Sequence, residues 1–187
     1  LDYVGVKASQ FSFSRLAKAD PVLGVDMAST GEVGCIGDSF HEALLKAMYS
    51  VGYRMPVKAV LISSGPAKSK ADLLEAVRLL ERRGYTIFAT RGTQQFLSNA
   101  GIAAKVAHWP DEEASPNTVE LIRQRVVDLV INIPKDLSAT ELSNDYQIRR
   151  SAVDYNIPLI TNARLASAFI NAFCSVPESE MEIKAWD

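Results

Sequence analysis

Short apolar runs alternate with stretches of helical spacing from residue 59 to residue 173. Five of the runs have the composition of buried strands: Ala59 to Ser63, Thr86 to Ala89, Lys105 to Ala107, Leu129 to Ile133 and Leu159 to Thr161. The clearest helical stretch lies between the first two, from Lys70 to Arg83, where Leu73, Leu74, Val77 and Leu80 form one apolar face and Gly84 supplies the stop. Further helices are predicted over Gln94 to Ala100, Thr118 to Arg125, Asp145 to Tyr155 and Ala163 to Phe173. Connections this short between alternating strands and helices predict an α/β domain: a doubly wound, five-stranded parallel sheet joined by right-handed crossovers and covered on both faces. Residues ahead of Val51 to Lys58 read differently. They are polar and dotted with glycine, with one helix from about Ser39 to Met48 and little core of their own, so Phe11, Phe13, Leu16 and Leu44 are expected to lack adequate burial.

In such a sheet a ligand belongs beyond the carboxyl ends of the strands. Those ends carry Ser63-Ser64-Gly65-Pro66-Ala67-Lys68-Ser69-Lys70, Thr90 to Thr93, His108-Trp109-Pro110, Asn132 with Lys135, and Thr161-Asn162. The set is cationic and rich in hydroxyls, which suits a small anion. Gly84 to Thr93 is the most informative piece. A strand opening through Gly92 onto a helix aims free backbone N–H groups at one spot, where the Thr90 and Thr93 hydroxyls can join them. The other reading has Thr93 capping the helix and Thr90 ending the strand. His108 is either a proton shuttle or a packed structural residue beside Trp109. Lys68 and Lys70 either start a solvated helix or serve an anion, since cations at a helix N-terminus oppose its dipole. No carboxylate pair, Ser/His/Asp set, Walker A or GxGxxG pattern stands out.

Charge narrows the partners. The 187 residues are 48% hydrophobic with a formal net charge of −2, which gives no field for sequence-blind nucleic-acid binding. No apolar run approaches the roughly 18 residues of a membrane span, so no membrane partner is expected. Cys35 and Cys174 lie far apart without metal-ligand spacing, so zinc is not expected and reduced thiols in a cytoplasmic compartment are. Leu1-Asp2-Tyr3 is neither an initiator Met nor a signal peptide, and the chain reads as a piece of something longer.

The front segment Met27-Ala28-Ser29-Thr30-Gly31-Glu32-Val33, with Phe11 to Leu16 and Asp20-Pro21-Val22-Leu23 ahead of it, resembles the tail of the second ATP-grasp unit of carbamoyl phosphate synthetase large chains. From about Val57 to Phe173 the chain resembles the C-terminal regulatory domain of the same enzymes, which has the methylglyoxal synthase-like fold. Gly84 to Thr93, Val130-Ile131-Asn132, Ile148-Arg149-Arg150-Ser151-Ala152 and Ile157-Pro158-Leu159-Ile160-Thr161 carry that second likeness. The resemblance implies an ATP-grasp tail over residues 1–52, a linker over 53–58, a regulatory domain over 59–176 and a C-terminal tail over 177–187. It implies no cofactor in this fragment, with ATP and Mg or Mn used upstream. The implied partners are the upstream synthetase domains, a glutaminase small subunit and an allosteric effector, in a parent ligase of pyrimidine or arginine biosynthesis.

By the same resemblance, Thr90, Thr93 and Asn132 fall on effector-holding positions, Trp109 on a pocket position, and Lys68 and Lys70 near a pyrimidine-group pattern. Lys135 and Asp145 stand where N-acetylglutamate-regulated relatives have asparagines. Lys68, Lys70, Arg91 and Lys135 together bring more positive charge than a dicarboxylate needs, which favours a nucleotide such as UMP, UTP or IMP over N-acetylglutamate. Methylglyoxal synthase-type lyase chemistry is the remaining alternative. The third-strand loop, Ala107-His108-Trp109-Pro110-Asp111, lacks the Gly-Gly-Asp segment of those enzymes, so no catalytic residue is expected.

Overall fold

The computed structural model describes residues 2–24, 26–134 and 139–183, and in the helix that begins at Ala139 the side chains from Ser143 onward. The first elements are a hairpin, β1 (Val4–Gln10) with β2 (Gly31–Gly37), and a helix, α1 (Phe40–Ser50). Alternation then begins: β3 (Ala59–Ser64), α2 (Ala67–Arg82), β4 (Thr86–Thr90), α3 (Arg91–Asn99), β5 (Lys105–Ala107), α4 (Thr118–Arg123), β6 (Leu129–Ile133), α5 (Ala139–Asp154), β7 (Leu159–Ile160) and α6 (Ala163–Ser175). Among the described residues no helix is long and apolar enough to cross a membrane.

β3 to β7 form one parallel sheet in the order β5-β4-β3-β6-β7. The chain steps outward from β3 through β4 to β5, crosses back to β6 and finishes at β7, so β3 and β6 flank the point where strand order reverses. Period-two alternation divides the core. Val60, Ile62, Ile87, Ala89, Leu129 and Ile131 join the α1, α2 and α6 side, packed on Leu45, Val77, Leu80, Phe169 and Phe173. Leu61, Phe88 and Val130 face the other way, onto Leu121 and Ile122 of α4 and Ile148 and Ala152 of α5. Continuous burial along β3 and β6 follows from this two-sided cover. Gly84 and Gly101 close α2 and α3 at φ +80° and +76°, a conformation other residues adopt at a cost.

Helix starts differ from the predicted ones. α2 begins at Ala67, not Lys70, because Pro66 supplies a pre-set N-cap backbone and the first turn holds only an exposed alanine, Ala67, which periodicity does not detect. Likewise α3 begins at Arg91, not Gln94. Gly92 lies inside that first turn without a positive φ, so it is not the turning residue the sequence suggested.

The front segment differs more. Residues read as irregular form the antiparallel β1–β2 pair, Val4 opposite Gly37 through Gln10 opposite Gly31. Four of its positions are glycine and its large apolar residues are few, which hides the strand pattern. α1 is capped by Ser39, whose Oγ accepts from Glu42 N at 3.2 Å. Gly37 is required there, since a Cβ would stand 2.8 Å from Ala43 N. α1 buries Leu44, Leu45 and Met48 in the main cluster, which corrects the expectation that Leu44 lacks burial, while Leu16 is exposed as expected. Asp128 pins the stretch after α1 to the sheet, its Oδ2 accepting from the backbone N–H of Val57, Lys58 and Ala59 at 3.2, 2.7 and 3.1 Å. Tyr53 and Tyr85 add hydroxyl bonds to the carbonyls of Leu159 and Pro56.

Candidate functional site

Where the strands run out, polar side chains take over the face that Leu61, Phe88 and Val130 occupy deeper in the sheet. Ser63 is in register with Asn132, and Thr90 stands beside Ser63, its Oγ1 donating to Ser63 Oγ at 3.2 Å. Thr90, Ser63 and Asn132 therefore form a row across β4, β3 and β6, with exposures of 3%, 3% and 0%. They sit at the strand-order reversal, the usual ligand position of an open α/β sheet.

Thr93 makes contacts that neither sequence reading anticipated. From the first turn of α3 its Oγ1 accepts from Ser64 N at 3.0 Å and donates to Ser64 O at 3.1 Å, clamping α3 to the end of β3. It does not cap its helix; Thr90 is the N-cap residue, without a side-chain cap bond. Beside the clamp, the buried Ser64 Oγ has no hydrogen-bond partner among the described residues. An unmet buried hydroxyl costs about 1 to 3 kcal/mol, which an incoming acceptor or donor recovers.

Asn132 is held by Asp145, which the resemblance sets where relatives have asparagine, and by Arg149, which sequence reasoning did not assign to the site. Its Nδ2 donates to Asp145 Oδ1 at 2.7 Å and its Oδ1 accepts from Arg149 Nη1 at 2.8 Å. Arg149 is fully buried in α5, and its Nε and Nη2 reach Asp20, in the connection between β1 and β2, at 2.7 and 2.6 Å. The available signal was the spacing: Asp145 and Arg149 are four apart on the face that carries Ile148 and Ala152. No sequence signal joins Asp20 to them.

The cations separate. Lys70 Nζ stands over the first turn of α3, 3.8 Å from where a Cβ on Gly92 would be. Lys68 is exposed in the first turn of α2. Arg91 is exposed and leans to Glu112, Nη2 to Oε2 3.8 Å. Lys135 lies outside the described residues. Glu112 also takes His108 Nδ1 at 2.9 Å, and the His108 backbone is bonded to Pro116 and Thr118, so the structural reading of this histidine is the one the geometry follows. Trp109 is half-buried against the α4–α5 side of the core, one residue beyond His108.

The MGS-like domain family matches residues 72–161, a span that includes Thr90, Thr93, Trp109, Asn132 and Arg149. The chain is 48% identical over 181 residues to the multifunctional protein ura1 of Schizosaccharomyces pombe, covering 92% of this chain and 8% of that one. Over 183 residues it is 42% identical to the multifunctional protein CAD of Squalus acanthias, covering 90% and 8%. The mitochondrial carbamoyl-phosphate synthase [ammonia] of Homo sapiens is 40% identical over 176 residues, 91% of this chain and 12% of its own length. The chain thus spans only a small part of the relatives it matches. With a doubly wound sheet, its polar row at the strand reversal and these relatives across nine-tenths of its length, the chain belongs to the carbamoyl phosphate synthetase family, in the part that carries the MGS-like domain.

Proposed function

We propose that this chain is an allosteric effector-binding region of a carbamoyl phosphate synthetase large chain, taking a small anionic effector at the carboxyl ends of β3, β4 and β6. A phosphate-bearing nucleotide such as UMP, UTP or IMP is the leading ligand. The observation that carries the reading is the unpaired Ser64 hydroxyl beside the Thr93 clamp, with the α3 N-terminus and Lys70 Nζ over the same turn. Trp109 would stack on the base or cover the sugar. One observation favours N-acetylglutamate as the second reading: Arg91 leans on Glu112, while Lys70 is the cation that stands over the first turn of α3 among the described residues. Lyase chemistry has less support, because Asp145, the carboxylate nearest Asn132, is spent on that amide.

Effector binding regulates only if it favours one state of the parent enzyme over another. Upstream synthetase units would carry the ATP and Mg or Mn chemistry, with ammonia delivered by a glutaminase subunit or taken free. Calorimetric titration of the chain with UMP, UTP, IMP and N-acetylglutamate tests the reading. Saturable 1:1 binding of one of them, weakened at least tenfold by Ser64→Ala with Lys70→Met, is the expected result. Heat changes absent for all four in the wild type would overturn it.

A further inference from the structure

Arg149 has five N–H donors in one rigid plane, and the structure shows where three of its nitrogens are spent. Nε and Nη2 grip the two oxygens of Asp20, and Nη1 points at Asn132 Oδ1. Because the plane is rigid, the direction of Nη1 depends on where Asp20 lies. Asn132 in turn has its oxygen on a guanidinium and its nitrogen on the Asp145 carboxylate. Turning the amide over would set N–H against N–H and oxygen against oxygen, so this pairing dictates which edge of the amide faces which way.

Asp20 is not in the sheet domain. It belongs to the long connection between β1 and β2, which reaches across to one face of α5. Three residues of that face hold it, spaced i, i+3 and i+4: Tyr146 Oη donates to Lys18 O at 3.0 Å, Arg149 takes Asp20, and Arg150 Nη1 donates to the carbonyls of Phe13, Leu16 and Ala19, each at 3.1 Å. We propose that Asp20 and Arg149 are positioning residues of the effector site, which orient the Asn132 amide and thereby link effector affinity to the seating of residues 11–30. Should Asp20 leave, the nearby counter-charge among the described residues is Asp145, across the Asn132 amide, and a guanidinium that turns toward it gives up Asn132. Linkage is reciprocal: whatever fixes Asn132 from the ligand side also favours the seated connection. This inference rests on the effector reading of the site, and its test separates the two.

The first arm uses no ligand. The side-chain amide resonance of Asn132 is followed by nitrogen-15 NMR in the wild type, Asp20→Asn, Asp20→Glu and Tyr146→Phe. Asp20→Asn is expected to shift it and speed its exchange with solvent, Asp20→Glu to restore it in part, and Tyr146→Phe to produce a smaller shift in the same direction. Tyr146→Phe leaves no buried charge unpaired, so it carries the test if Asp20→Asn does not fold. The second arm titrates UTP and N-acetylglutamate in a Trp186→Phe background, so that fluorescence reports Trp109 alone of the two tryptophans. Binding of the active probe should weaken about tenfold in Asp20→Asn and about twofold in Tyr146→Phe. An unmoved Asn132 resonance in the folded variants overturns the positioning role, and a moved resonance with unchanged affinity overturns the link. If the resonance moves but the wild type takes up neither probe, the effector reading falls and the positioning role stands.

Discussion

Asp20 and Arg149 are 129 positions apart, yet they meet as a two-pronged ion pair at 2.7 and 2.6 Å, with the arginine wholly enclosed and the aspartate partly exposed. Removing one partner strands a charge in the interior. Asp20→Ala is expected to destabilise the chain by about 3 kcal/mol, and the double variant Asp20→Ala with Arg149→Met by less than the sum of the two single changes. Urea unfolding of the four proteins checks this; additive losses would show that the pair is not coupled.

Thr90 and Thr93 cannot be tested for ligand binding alone, because their hydroxyls already hold Ser63 and Ser64. Thr93→Val keeps the shape and loses both bonds to Ser64, and should lower stability by about 1 to 2 kcal/mol, while Thr93→Ser keeps most of it. A thermal melt of Thr93→Val matching the wild type would remove the clamp from the account.

Asp128 accepts three successive backbone N–H groups where the chain enters β3. Asp128→Asn can serve at most part of that set, and a loss of about 2 kcal/mol is expected, measured by denaturant midpoint at constant slope.

Two tyrosines make the fold sensitive to alkali. Burial of its hydroxyl end, which bonds Leu159 O, pushes Tyr53 up to about 12, and burial, reinforced by Glu178 and Tyr85, does the same to Tyr49. Unfolded tyrosine ionises near 10, so the folded state binds its protons more tightly. That stability is present in full below pH of about 10 and is lost as pH rises toward about 12. Between those values the advantage of wild type over Tyr53→Phe should shrink steadily; a constant difference would contradict the assignment.

Amide exchange should follow the core rather than the chain order. Leu44 and Leu45 lie in the same cluster as β3, so α1 amides are expected to exchange nearly as slowly as those of Leu61 and Ile62, with exposed residues such as Leu16 and Leu23 in the β1–β2 connection far faster. Fast exchange through α1 would mean that its packing opens independently.

The sheet was legible because its signal is local. Leu129 to Ile133 appears with its predicted bounds, and Gly84 ends its helix as read, since a strand buried on both faces and a left-handed glycine each announce themselves within a few residues. Thr90 and Asn132 share one row with Ser63, and Trp109 follows the end of β5, because topology puts every carboxyl end on one side. What stayed hidden depends on contacts distant in sequence. Gly31 to Gly37 pairs with a strand some two dozen residues upstream, Asp20 serves a helix from the opposite end of the chain, and Arg91 is drawn off by Glu112. Counting cations along the sequence did not show that Arg91 leans to Glu112 while Lys70 stands over the first turn of α3, because nearness to a strand end does not fix the direction of a long side chain.

The β1–β2 ribbon has a consequence for handling the molecule. Among the described residues each of its strands pairs only with the other, so each outer side presents a row of main-chain donors and acceptors, relieved by the exposed Lys7–Glu32 pair. Such margins recruit further strands. At high concentration two copies can align ribbon to ribbon into a four-stranded sheet, so protein concentration becomes a variable in every measurement made on this chain, and a dilution series belongs beside each titration.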